Sequence, residues 1–359
     1  MPLDICRWRL AGQFLTTTGP TTPADVVRLL GAVQAQDYAG AKWALAQRVR
    51  DITDDALEAA LDAGDILRTH VLRPTWHFVR PADIRWMLAL TAPRVRAKTA
   101  GPNRRLELDS TFIRRSNAVF EKVLAGGRSL TRSELAAELR RARLGVVTGQ
   151  RLGHLMMEAE LGGIVCSGPR RGKQFTYALL EERAPGAPPI SNDEALHELT
   201  RRYFTTRGPA TPHDFAWWSG LTVADAKRGI ASNADALERV TLGGTDYWLG
   251  ADQSPPPRVR SAHLLPNYDE YFIGHRDRSA IAARLGDDRS VLGGTALVPH
   301  VIVVDGQLVG TWRRAATNDG IVIELSAGTR VTAAERQRIL AATIALERFH
   351  RVPVDVRWI

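Results

Sequence analysis

The first forty residues alternate apolar and polar positions in a way that builds a helix and then stops it. Asp25-Val-Val-Arg-Leu-Leu-Gly-Ala-Val33 carries apolar residues at helical spacing, and the pattern breaks at Gln34-Ala35-Gln36. Residues i and i+2 point to nearly opposite sides of a helix but share one face of an extended segment. The two glutamines can act together only if the chain leaves the helix here. By residue type alone they serve equally well as caps of backbone groups or as solvent-facing amides.

Helix starts recur along the chain. Thr22-Pro23-Ala24-Asp25 and Thr211-Pro212-His213-Asp214 each place an N-cap threonine, a proline at the first helical position and a carboxylate at the third. Thr131-Arg-Ser-Glu134 is a capping box. Each start leads to a second helical stretch and then to β-prone segments flanking a turn, over 66–79, 163–178 and 237–249, the last turning at Gly243-Gly244. Helix, helix and hairpin make the winged-helix pattern, and three tandem copies on a basic chain point to a nucleic-acid scaffold. Proline-rich stretches at 184–189 and Ser254-Pro-Pro-Pro257 read as stiff linkers. Beyond them come a hairpin turning at Asp305-Gly306, a strand over 321–325 and a helix over 332–350, an α+β cap expected to curl into a small barrel. The fold class is therefore α+β. Unit 1 with its connecting helices spans 1–125, unit 2 spans 126–189, unit 3 spans 190–255, and a barrel-like subdomain spans 256–359.

Composition narrows the chemistry. At 359 residues and 44% hydrophobic, the chain can bury several cores without outside support. No apolar run approaches the ~20 residues of a membrane span and the N-terminus lacks a leader pattern, which makes a soluble cytoplasmic protein the expectation, nucleoid-associated when on DNA. Cys6 and Cys166, without a Cys-x-x-Cys pair, exclude an iron-sulfur cluster or thiolate zinc ribbon and read as small buried hydrophobes. The histidine spacings suit no metal, and Gly243-Gly244 and Gly293-Gly294 lack the lysine and spacing of a phosphate loop.

A net charge of +9 calls for a polyanionic partner. Lysine occurs only at 42, 98, 122, 173 and 227, so arginine supplies the rest of the 48 basic residues. Arg170, Arg171 and Lys173 sit at the glycine-flanked turn of the second hairpin, either as a phosphate grip or as a solvated tip. Arg94, Arg96, Lys98, Arg104, Arg105, Arg114 and Arg115 line the connection between units 1 and 2, as a backbone clamp or a charged linker.

With these residues assembled, the chain resembles the winged-helix DNA glycosylases of the AlkZ and YcaQ superfamily. The motifs that carry the resemblance are Gln34-Ala35-Gln36, Arg73-Pro-Thr-Trp-His77, Glu158-Ala-Glu-Leu-Gly-Gly-Ile-Val165, Arg207-Gly-Pro-Ala-Thr-Pro-His-Asp-Phe215, Leu264-Leu-Pro-Asn-Tyr-Asp-Glu-Tyr271 and Val309-Gly-Thr-Trp312. The resemblance implies tandem winged helices around a concave DNA-binding face and removal of N-alkylated purines. Gln34 and Gln36 match the Gln-apolar-Gln form of the AlkZ branch, which unhooks interstrand crosslinks as self-resistance to an alkylating antibiotic; the other branch has Asp at the second position. Asp37 follows the motif out of register for that pattern, but a shifted backbone would bring it near as a supporting residue. The implied partner is double-stranded DNA carrying alkylated purines or crosslinks, engaged by a monomer with no cofactor, no metal and no membrane.

Glutamine does not titrate at physiological pH, so neither amide is a general base; each can orient water toward C1′. That suffices where the leaving base is already cationic. Asp269 and Glu270 are the acid candidates to support developing positive charge, or are structural beside Tyr268 and Tyr271. His77 contacts DNA or is a hydrogen-bonded core residue. Lys42, the only lysine near the motif, is expected on the surface at a helix start, which favours a monofunctional enzyme leaving an intact abasic site. The Asp305-Gly306 hairpin, with Arg313 and Arg314 at its end, is a candidate groove probe, its Trp312 expected in the core.

Overall fold

One topology occurs three times in the computed structural model, which describes residues 3–186, 190–286, 299–317 and 320–359. In the first unit the helix Pro23–Leu30 leads to a two-residue strand, Val33–Gln34, the helices Tyr38–Ala46 and Asp54–Ala63, and a hairpin of Leu67–His70 with Trp76–Val79. The short strand adds antiparallel to the second hairpin strand. In the second unit Ser110–Leu124, Leu130–Thr131, Arg132–Arg141, Gly149–Leu161 and the hairpin Val165–Arg171 with Gln174–Leu179 repeat that order and that pairing. The third unit uses Asn192–Arg207, a single bridge between Ala210 and Trp248, Pro212–Ser219, Val223–Ser232 and the hairpin Leu237–Leu242 with Thr245–Gly250.

The repeat is thus present but shifted by one helix from the sequence expectation. Thr131 and Thr211 cap the second helix of their units, whereas Thr22 caps the first helix of its own. The first unit's counterpart is Asp37, whose carboxylate accepts from Gly40 N–H (3.1 Å) at the start of Tyr38–Ala46. A Thr-Pro start satisfies free N–H groups at the head of any helix and does not say which helix of a unit it opens. In units 2 and 3 the cap is the last paired residue or the one directly after it. In unit 1, Ala35 and Gln36 intervene.

The helix Pro81–Arg105 runs unbroken through Pro93 and Pro102, so Arg94, Arg96, Lys98, Arg104 and Arg105 ride a helix rather than a linker. Its Met87 and Val95 share one core with Leu67 and Val79 of the first sheet and with Leu199, Tyr203 and Trp218 of the third unit. Units 1 and 3 are therefore packed together through this helix.

The C-terminal region corrects the barrel expectation. Its strands run in the order Val354–Trp358, Ile321–Ala327, Gln307–Ala316, His300–Val304, Ala262–Leu265, and the two end strands do not pair with each other. The sheet is open, with Ala333–His350 covering it through Ile339, Leu346 and Phe349. Trp312 lies in this core, as expected, and donates to Leu265 O (2.8 Å). Trp43 of unit 1 joins the same core and donates to Leu264 O (2.7 Å).

The tight turn at Asp305 (φ 50°) and Gly306 (φ 83°) forms as expected, but its tip is not free to probe DNA. A Cβ on Gly306 would lie 2.7 Å from Cys6 Cβ, and Tyr271 OH donates to Gly306 O (2.7 Å). Cys6 and Cys166 are both buried thiols. Linker residues 187–189 and Gly293-Gly294 lie outside the described residues. No described helix is long and apolar enough to cross a membrane.

Candidate active site

The segment bearing the two glutamines is held by a buried ion pair. Gly31 (φ 80°) ends Pro23–Leu30 in a backbone conformation that L side chains rarely adopt, turning the chain out of the helix into Val33–Gln34. Arg207 fixes this turn from below, donating to Leu30 O (2.8 Å) and Ala32 O (3.1 Å). Glu270 completes the frame: Oε2 accepts from Arg207 (2.6 Å) and Trp218 Nε1 (2.8 Å), and Oε1 accepts from the Gln34 backbone N–H (2.8 Å). Arg207 and Glu270 are both fully buried. Glu270 is therefore an anchor for the Gln34 backbone, with both oxygens engaged.

Alternation places the Gln34 side chain on the face of the sheet that carries His77, its direct cross-strand partner, and Thr69, the partner of His77 one strand further. Ala32, Val79 and Leu67 occupy the next row of that face and belong to the core shared with unit 3. The face thus changes from apolar to polar toward the hairpin tip. Gln34 is 6% exposed; its Nε2 donates to Thr75 Oγ1 (3.5 Å), while Oε1 has no partner among the described residues. His77 is enclosed, its Nδ1 lies 2.9 Å from Thr75 O, and burial, reinforced by the Arg73 charge, pushes its pKa well below the ordinary histidine value. The ring is neutral.

Gln36 is exposed, just beyond the last ladder bond, which Ala35 N–H donates to Trp76 O (2.7 Å). Asp37 is occupied as a helix cap. Across from unit 1, Arg73 lies over the half-exposed Trp217 (5.9 Å to the ring centre), and Gly220 leaves room for the hairpin, since a Cβ there would collide with Leu72 O.

The remaining candidates sit elsewhere or are committed. Both oxygens of Asp269 bind Arg48 (2.9 Å each), and one also accepts from Tyr271 N–H (2.8 Å), so it serves as the cap of Glu270–Ile273. Lys42 is buried, contrary to expectation, because it lies one turn inside its helix and pairs with Asp54 (2.8 Å) and Glu58 (2.7 Å) of the next one.

Arg170 turns inward: its backbone N–H donates to Asp62 (2.8 Å), and its guanidinium stacks on Tyr38 and Phe175, 5.0 Å from each centroid, beside Glu58 (3.4 Å). Acidic residues on Asp54–Ala63 thus dock the second hairpin onto unit 1. Arg171 pairs with Glu134 (2.5 Å), while Lys173 is exposed and makes no ion pair among the described residues. Arg313 is exposed opposite Glu324, and Arg314 reaches His350 Nε2 (3.1 Å). No group of three or more His, Cys, Asp or Glu among the described residues is arranged to hold a metal.

Sequence reasoning missed Thr69, named Arg73 and Thr75 within a motif without giving them a role, and missed Arg207 as the anchor of the Gln34 segment. Thr69 becomes visible only through strand register, and Thr75 only through its contacts with Gln34 and His77; the Arg207 to Glu270 pair joins residues 63 apart and leaves no local signal.

Residues 27–349 match the family described as DNA glycosylase AlkZ-like. An interstrand DNA cross-link repair glycosylase of Streptomyces sahachiroi is 24% identical over 331 residues, covering 86% of each protein. The solved structure of the Streptomyces sahachiroi DNA glycosylase AlkZ superposes with a TM-score of 0.81 at 22% identity, spanning 99% of this chain and 98% of that one. At that identity the structural match establishes the fold.

Proposed function

Since this chain belongs to the AlkZ-like DNA glycosylase family, we propose that it hydrolyses the N-glycosidic bond of N7- or N3-alkylated purines, interstrand crosslinks included, using water oriented by Gln34 and Gln36. The observation that supports this reading is where the two amides stand: Gln34 is on the two-residue strand, its backbone anchored and its side chain nearly buried, and Gln36 is exposed in the bend two residues on. Water's oxygen bonds to C1′ as the C1′–N bond breaks, and the departing electron pair neutralises the cationic base. The water's proton is released to solvent. Neutral amides orient the nucleophile without abstracting its proton, so the substrate must supply its own activation. Undamaged purines are therefore not substrates.

The reaction ends at an abasic site. A lyase step needs a free amine, and Lys42 is held between two carboxylates. The three repeated units act as winged helices, the second opening with Ser110–Leu124 and the third with Asn192–Arg207, and the C-terminal sheet closes a concave DNA-binding face. An open face of this kind suits a crosslinked nucleotide, which is tethered to both strands and cannot swing into a deep pocket. The protein works as a monomer in the cytoplasm, on the nucleoid, in repair or in self-resistance to an alkylating natural product.

The test is release of 7-methylguanine from duplex DNA and unhooking of a nitrogen-mustard crosslink. Gln34→Ala and Gln36→Ala should each slow release by roughly a hundredfold. Unchanged rates in both variants, or a borohydride-trapped covalent adduct, would overturn the reading.

A further inference from the structure

Gln34, His77 and Thr69 stand in one row across three neighbouring strands. Cross-strand partners of this kind hold their Cβ atoms about 4.5–5.5 Å apart, so the three side chains line a common space. Gln34 Oε1, His77 Nε2 and Thr69 Oγ1 are all buried and have no partner among the described residues. Buried polar atoms are nearly always paired, and three orphans in register demand one explanation.

Their hydrogen-bonding roles are fixed by their other contacts. His77 Nδ1 faces Thr75 O, which only accepts, so Nδ1 carries the ring's proton. Burial keeps that ring neutral, leaving Nε2 as an acceptor. Gln34 donates through Nε2 to Thr75 Oγ1, leaving Oε1 as a second acceptor. Two facing acceptors cannot satisfy each other. The Thr69 hydroxyl donates one proton, so the row is one proton short of satisfying itself.

The geometry points to an internal water locked between Gln34, His77 and Thr69, through which His77 acts as a positioning residue for the Gln34 amide. This water donates to Gln34 Oε1 and His77 Nε2 and accepts from Thr69 Oγ1. Three bonds are the usual complement of a buried water, and these three satisfy every orphan in the row. The Gln34 oxygen is thereby held inward, and its amide nitrogen stays turned toward Thr75. A primary amide without this partner rotates between two orientations, and only one keeps its N–H groups on the Thr75 side.

This inference rests on the proposal that Gln34 serves glycosidic bond hydrolysis, and the experiment separates the two. Single-turnover release of 7-methylguanine is measured at saturating enzyme for wild type, Gln34→Ala, His77→Phe, His77→Gln and the Gln34→Ala/His77→Phe double variant, with DNA affinity measured in parallel. His77→Phe should slow release about tenfold at unchanged affinity, and His77→Gln, which restores an acceptor, should recover most of that loss. In the Gln34→Ala background His77→Phe should add nothing, because its effect passes through that amide.

Additive losses in the double variant, or a His77→Phe rate equal to wild type beside a slow Gln34→Ala, overturn the positioning role. A fast Gln34→Ala overturns the parent proposal instead. Should His77→Phe fail to fold, Thr69→Val removes one bond of the same water at constant shape and should slow release about threefold, an effect also absent in the Gln34→Ala background. Equal slowing in both backgrounds overturns the role.

Discussion

The bridging strands of units 1 and 2 occupy the same place in the same topology and treat their polar groups in opposite ways. In unit 2, Thr131 and Glu134 close a capping box, and Thr176, directly opposite Thr131, donates to Pro169 O (2.5 Å). In unit 1, Gln34 and His77 face each other with inward polar atoms that no described residue satisfies. Unit 1 also separates strand from cap by Ala35 and Gln36, while in unit 2 Thr131 is both. In unit 2 both members of the facing pair are engaged within the fold. Unit 1 leaves polar atoms of its facing pair without partners among the described residues and lengthens the segment between strand and cap.

Holding such a segment in place requires support from outside the unit, and removing that support should give the largest effect. Glu270→Ala strands the buried Arg207 charge and frees both the Leu30 to Ala32 turn and the Gln34 N–H. Breaking a buried pair by removing one partner costs about 3–5 kcal/mol. Denaturant midpoints should fall accordingly, and base release should be lost in whatever protein remains folded. A variant of wild-type stability would show that the turn holds itself, erasing the contrast with unit 2.

That dependence explains which parts were legible in the sequence. Amphipathic spacing and caps are local, so the helix ending before Gln34 and the three hairpins could be read directly. The unit boundary in the first repeat was misplaced because Thr22 and Thr131 carry the same cap signal on different helices. A two-residue strand such as Val33–Gln34 has no periodicity to detect. The openness of the C-terminal sheet depends on how its end strands lie, and the buried tip at Gly306 depends on Cys6, some 300 positions earlier in the chain. Arg170 was left between a phosphate grip and a solvated tip because its partners Glu58 and Asp62 come from another unit.

Lowering the pH should weaken the region around the Val33–Gln34 strand before it weakens unit 2. Burial holds the pKa of His263 down at about 4 and also depresses His77 and His275. In the unfolded chain each takes up its proton near pH ~6.5. Between that value and about 4 the unfolded state binds more protons. The stability present above pH ~6.5 is therefore lost as pH falls, by up to about 1.4 kcal/mol per pH unit for each histidine. Midpoints measured at pH 7.5, 6.5 and 5.5 should decline, with amide exchange rising first in the 67–79 hairpin. The second unit's only histidine, His154, is only part-buried, so its hairpin should respond less. Equal responses would mean the two sheets share one titrating core.

In unit 2 itself, Thr131→Ala should cost about 1 kcal/mol, the ordinary worth of a helix cap, and leave release of 7-methylguanine untouched. Loss of activity in a folded Thr131→Ala protein would mean that the two bridging strands are coupled rather than divided between scaffold and chemistry.

The smallest effect should come from the tip of the second hairpin, where neighbouring cations differ only in their partners. Arg171 is paired with Glu134, whereas Lys173 is exposed and makes no ion pair among the described residues. A free ammonium that contacts a phosphate releases counterion, so Lys173→Ala should weaken duplex binding a few-fold and make the log-log salt slope shallower by about 0.9. Arg171→Ala should change that slope less, because removing it also unmasks Glu134 without taking away a free cation. Binding titrations at several salt concentrations decide between them. If both variants shift the slope alike, the Arg171 pair opens on DNA and the second hairpin grips phosphate with both residues.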